Sequence, residues 1–89
     1  VKSHATHRFW KCFDRLPARV KDLAKKSFEQ WKLNVNHPSL QFKKVTSTEN
    51  IYSVRVGLHY RALGVMDDHT IVWFWIGSHE DYNTLLSTL

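Results

Sequence analysis

Up to about residue 40 the apolar side chains recur every three to four positions, and beyond it they recur at every second position. A helix repeats every 3.6 residues and a strand every 2. One change of period therefore splits the chain into a helical first part and a sheet-forming second part. The expected class is α+β, with helices from one stretch laid on a sheet built from the other.

In the first part, Phe9, Trp10, Phe13 and Leu16 fall at helical spacing, and Thr6 stands where a side-chain oxygen caps a first turn. This predicts a helix from Thr6 to Leu16. Pro17 interrupts it and, being well tolerated at a helix start, opens a second helix running to Leu33. Val20, Leu23, Ala24, Phe28 and Trp31 line one side of that helix, while Arg19, Lys21, Asp22, Lys25, Lys26 and Glu29 line the other. The two helices are expected to form a hairpin. Turn chemistry from Asn34 to Ser39 ends it, since Pro38 forbids continuation.

In the second part, Tyr52, Val54, Val56 and Leu58 alternate with Ser53, Arg55, Gly57 and His59, as a half-buried strand requires. A short strand over Gln41–Val45 precedes it. Tyr60–Met66 follows a tight connection at Gly57–His59, and Thr70–Ile76 follows a turn at Asp67-Asp68-His69. Consecutive strands joined this way predict a twisted antiparallel sheet of three to four strands, with Lys2–His4 as an extra edge strand. The run Ile71–Ile76 is apolar on both faces, so it calls for cover on each side or a partner protein on one. Ser78 caps a last short helix to Leu89, placed at a sheet edge or on the free face. All 89 residues are expected to form a single domain, 1–89.

Thirteen Lys and Arg against eight Asp and Glu leave a net charge of +5, which favours polyanionic partners. The lone Cys12 excludes an intrachain disulfide and a thiolate zinc site. His4 and His7 have a metal-ligand spacing, but no Asp, Glu or Cys stands beside them, so neither metal nor cofactor is expected. No apolar run has the length of a signal peptide core or a membrane span. The expected setting is soluble and cytoplasmic, without membrane contact.

Against this background Leu16-Pro17, His37-Pro38-Ser39-Leu40, Tyr52-Ser53-Val54-Arg55-Val56-Gly57, Tyr60-Arg61-Ala62-Leu63 and Trp75-Ile76-Gly77-Ser78-His79-Glu80-Asp81-Tyr82 occur in one order. In that order the chain resembles the RelE/ParE superfamily of toxins from type II toxin-antitoxin systems, over nearly its whole length. The resemblance implies a RelE-like fold and a cognate antitoxin. It also implies one of two activities. The RelE-like branch cleaves messenger RNA on the ribosome, without metal, through the RNA 2′-hydroxyl; the ParE branch inhibits DNA gyrase and needs no hydrolytic centre. A relative that binds antitoxin but has lost toxicity is the third alternative.

For the nuclease branch the resemblance makes Arg61, His79 and Tyr82 the catalytic set. Arg61 matches a strand arginine that clamps phosphate, and a guanidinium offers two parallel donors for that purpose. His79 follows the last strand where family members carry histidine or arginine, and imidazoles as a class titrate close to neutrality. Tyr82 lies three residues on, one helical turn away, where it shares a face with His79. Arg55 is expected to neighbour Arg61 across the hairpin, and Lys43 and Lys44 to add phosphate contacts. Glu49 is a carboxylate in a loop that sequence does not place. Trp73 and Trp75 are expected to form one wall of an antitoxin groove.

Overall fold

The computed structural model describes residues 2–88. In chain order these form β1 (Lys2–Ala5), α1 (His7–Asp14), α2 (Ala18–Leu33), a 3-10 turn (Pro38–Leu40), β2 (Lys43–Lys44), β3 (Ile51–Val56), β4 (Tyr60–Asp67), β5 (Thr70–Ser78) and α3 (His79–Leu86). The strands make one sheet in the order β1-β5-β4-β3-β2. The architecture is the α+β arrangement expected from the change of period.

Local chemistry explains the helix boundaries. Thr6 Oγ1 accepts from Phe9 N at 3.1 Å and starts α1, and Ser78 Oγ accepts from Asp81 N at 3.1 Å and starts α3. Pro17 is the residue before α2 rather than its first turn, and its carbonyl accepts from Val20 N and Lys21 N. A Thr6→Ala variant is expected to lose about 1 kcal/mol of stability in urea unfolding, because the Phe9 amide then loses its side-chain partner.

The sheet departs from expectation in being mixed. β1 runs parallel to β5, with Lys2 opposite Thr70 and Ala5 opposite Trp73. No hairpin joins β1, the first strand, to β5, the last, so their connection does not impose the antiparallel pairing that hairpin-linked strands share. The strand expected over Gln41–Val45 shortens to Lys43–Lys44, since Gln41 takes a left-handed conformation (φ 45°, ψ 45°) that an extended strand does not allow. Leu58 leaves the strand for the turn. α3 ends at Leu86, and the expected helical end at Leu89 lies outside the described residues.

One face of the sheet carries α1 and α2 over a core that includes Leu16, Val20, Trp31, Val54, Val56, Ala62, Ile71, Trp73 and Ile76. The other carries α3, which buries Tyr82 against Ile51 and Leu63. The two N-terminal helices do not close tightly on each other. α1 rests on β5 and α2 on β3, and an apolar cleft of about 260 Å³ opens between them above Trp31 and Trp73.

A bulge sets the faces of β5. Leu63 pairs with Trp75 but Gly64 pairs with Trp73, which leaves Phe74 as the extra residue. Trp73 therefore faces α1 and α2 while Trp75 faces the α3 side. The expectation that both indoles form one wall is overturned by this slip of parity. The doubly apolar run is covered on both faces by helices of its own chain.

Candidate functional site

The β3–β4 hairpin brings two arginines together. Arg55 pairs directly with Arg61 across the ladder, the neighbouring pairs being Val54–Ala62 and Val56–Tyr60. Cross-strand partners project to the same face. That face is the α3 side, because Ser53, Arg55, Arg61 and Leu63 alternate with residues that enter the α1/α2 core. The turn Gly57–His59 adopts a positive φ at Gly57 (62°), and Arg55 Nε donates to Gly57 O at 3.0 Å. His59 O accepts from His79 N at 2.7 Å, so the hairpin tip is tied to the first residue of α3.

Tyr82 links the two sides of the site. The Arg61 Cζ lies 5.5 Å from the Tyr82 ring centre, and the His79 ring lies 5.6 Å from the same ring. Tyr82 is buried, whereas His79 is exposed and its Nδ1 lies 3.3 Å from Asn83 Nδ2. Trp75 completes the floor, for its indole lies over Gly77, where a Cβ would come within 2.5 Å of the ring. Gly77 pairs with Arg61. The Trp75 indole thus requires glycine at the position opposite Arg61 on the ladder.

Arg61 is only 5% exposed. Its Nη1 donates to Ser53 Oγ at 2.9 Å, its Nη2 to Gln41 Oε1 at 2.6 Å, and Nη1 also reaches Gln41 O at 3.5 Å. Nε has no partner. Among the described residues no carboxylate lies within ion-pair distance of it; the His69–Asp68 contact, at 3.9 Å, is on the exposed β4–β5 turn. Burial pushes the Arg61 pKa down, the Tyr82 phenol acts in the opposite direction, and the neighbouring Arg55 pushes it down further. A guanidinium nonetheless stays charged at neutral pH. The site therefore contains a buried cation compensated by neutral acceptors and a ring face.

The register separates the two lysines expected beside it. Lys43 pairs with Ser53 and so faces the site, while Lys44 pairs with Tyr52 on the opposite, helix-covered side. Lys44 is not brought to the site, because a strand alternates faces at every residue. Glu49 sits in the exposed β2–β3 loop, where its carbonyl accepts from Thr46 Oγ1. It lies at the Ile51 end of β3, away from the hairpin tip. Gln41 and Ser53 are the hydrogen-bond partners of Arg61 that the sequence does not point to. Ser53 was read only as part of a polar alternation, and it is fully buried. Nothing in the sequence marks Gln41.

His4 ends up in β1 and His7 opens α1. Among the described residues no three metal-ligating side chains come together, and no helix is long and apolar enough to cross a membrane.

Two helices on one face of a small sheet, a third on the other, and an arginine pair beneath that third helix define a RelE-like toxin fold. A chain of the RelB-RelE antitoxin-toxin complex from Methanococcus jannaschii superposes with a TM-score of 0.73 at 19% identity, over 92% of this chain and 96% of that one. The YoeB/ParE toxin from Agrobacterium tumefaciens gives 0.69 at 13% identity, over 89% and 99%. YafQ from Escherichia coli gives 0.65 at 14%, over 91% and 96%. No individually curated protein sequence matches the chain. The chain belongs to the ParE-like toxin domain family, whose model matches residues 18–84.

Proposed function

We propose that this protein is the toxin of a type II toxin-antitoxin system, that it cleaves messenger RNA on the ribosome, and that a cognate antitoxin neutralises it in the cytoplasm. The observation that carries this reading is the convergence of Arg61 and His79 on Tyr82, with Arg55 paired to Arg61 on the same sheet face and no carboxylate of the described residues beside Arg61. Such a surface suits a phosphodiester, whose charge grows as the phosphorus becomes pentacoordinate.

In the proposed reaction the RNA 2′-hydroxyl gives its proton to solvent water as its oxygen attacks the adjacent phosphorus, the bond to the 5′-oxygen breaks, and a cyclic phosphate remains. Arg55 and Lys43, the accessible cations of the face, hold the non-bridging oxygens, and Arg61 stabilises the added charge from beneath. His79, exposed at the start of α3, donates a proton to the departing 5′-oxygen. Tyr82 fixes the spacing between His79 and Arg61. The antitoxin is expected to be acidic or amphipathic, since it must cover a chain of net charge +5.

Mapping transcript 5′ ends after induction in a bacterium is the test. Cuts inside translated messages are expected, and His79→Ala should reduce them about 100-fold while the protein stays folded. The ParE-like family match favours a second reading, in which the toxin inhibits DNA gyrase. Its signature is intact messages, a DNA-damage response and indifference to His79→Ala, and that result would replace the nuclease assignment.

A further inference from the structure

We propose that Gln41 occupies the Arg61 fork in place of phosphate oxygens, and that an RNA phosphodiester binds by expelling the Gln41 side chain. The inference rests on the nucleic-acid reading above and assigns a substrate-gating role to a residue outside the catalytic set.

Three observations point to Gln41. First, one residue supplies oxygens to both terminal nitrogens of Arg61: Oε1 to Nη2 at 2.6 Å, and the backbone O to Nη1 at 3.5 Å, the limit of a hydrogen bond. Two oxygens on the two Nη atoms are what a phosphate presents to an arginine. Second, Gln41 holds φ 45° and ψ 45°, a left-handed conformation unusual outside glycine, asparagine and aspartate, and this conformation sends both oxygens to the same guanidinium. Third, the side chain is exposed although Arg61 beneath it is buried. Gln41 can therefore swing into water without leaving an amide unsatisfied, whereas Ser53, fully buried, stays and keeps Arg61 oriented.

The exchange favours the anion. A phosphate oxygen brings a full negative charge to the guanidinium, an attraction that the neutral Gln41 amide lacks, so phosphate replaces Gln41 while water or a neutral peptide does not. The nearby Arg55 adds to this preference, being paired directly with Arg61 and close enough to lower its pKa. The result is a site that is closed to neutral ligands and opens to a phosphodiester.

Binding of a short 2′-O-methylated oligoribonucleotide, whose blocked hydroxyls prevent cleavage, tests this through fluorescence anisotropy. Gln41→Asn tolerates the left-handed backbone but is one methylene shorter, so it should bind the oligonucleotide about 3- to 10-fold more tightly. Gln41→Glu places a carboxylate on Arg61 and should bind at least about 10-fold more weakly. The Arg61 side-chain nitrogen resonances should shift on binding in the parent and in Gln41→Asn. Equal affinities for all three proteins, with Arg61→Lys still weakening the parent, would overturn the gating role and leave the phosphate site standing. A parent that fails to bind, or one whose affinity is indifferent to Arg61→Lys, would overturn both readings.

Discussion

Arg61→Met is expected to yield a folded protein that has lost at least ~100-fold of the proposed message cleavage yet resists urea better than the parent, by about 1 kcal/mol. Arg61 is buried with an unpaired Nε, its Nη atoms meet neutral oxygens, and Arg55 stands opposite on the ladder. Taking such a charge out of water without a counter-ion is unfavourable, and the depressed pKa reports that cost, with desolvation as its first cause. Methionine fills a similar length of space without the charge. The loss of the donor to Ser53 Oγ offsets part of the gain. Arg61→Ala differs, because it also opens a cavity under Tyr82.

The two readouts together decide what Arg61 is for. A side chain that lowers stability and is required for activity serves what it binds. Urea unfolding of parent and Arg61→Met, alongside transcript mapping with each, gives both numbers. A loss of more than ~1 kcal/mol in Arg61→Met would make the guanidinium a structural strut through Ser53 and Gln41. The assignment of a phosphate site would then lose its central residue.

How much of this was legible in the sequence varies with the kind of signal. Thr6, Pro17, Pro38 and Ser78 carry local chemistry and marked the helix ends within a residue or two. The pairing of Arg55 with Arg61 was readable because Tyr52, Val54 and Val56 fix one face of the strand and a short turn fixes the register. The bulge at Phe74 was not readable, since a run apolar on both faces contains no polar residue to reveal a change of parity. For that reason Trp73 and Trp75 were placed together although they part. The parallel pairing of β1 was hidden by its four mostly polar residues, whose partner lies some seventy positions away.

The site shows the same division. Sequence points to Arg61, Arg55, His79 and Tyr82 and gives Arg61 the part of a phosphate clamp, but it does not show that the α3 cover buries that clamp. Burial of a basic residue depends on what a distant segment lays over it, here Tyr82 from the last helix. Lys43 and Lys44 were indistinguishable until the two-residue pairing with β3 assigned them to opposite faces. Gln41 carries no compositional mark, and its role follows from a backbone conformation that glutamine seldom adopts.

Trp31→Ala is expected to remove about 3–5 kcal/mol, enough to leave a domain of ordinary stability close to unfolding at body temperature. Trp31 is 1% exposed and holds the helical layer to the sheet. Its ring stacks on Phe28 at 6.2 Å and meets Phe42 at 5.9 Å and Trp73 at 5.6 Å edge to face. The void cannot close easily, because the cleft between α1 and α2 already lies alongside it. Trp31→Phe should stay within about 1 kcal/mol of the parent, since it keeps much of the ring contact and removes an indole N–H that has no partner. Urea unfolding of the two variants checks the pair. Equal losses in both would mean that the indole N–H finds a partner absent from this structure, and near-neutrality in both would mean that α2 is held down from elsewhere, with Val20 and Leu16 the next contacts to test.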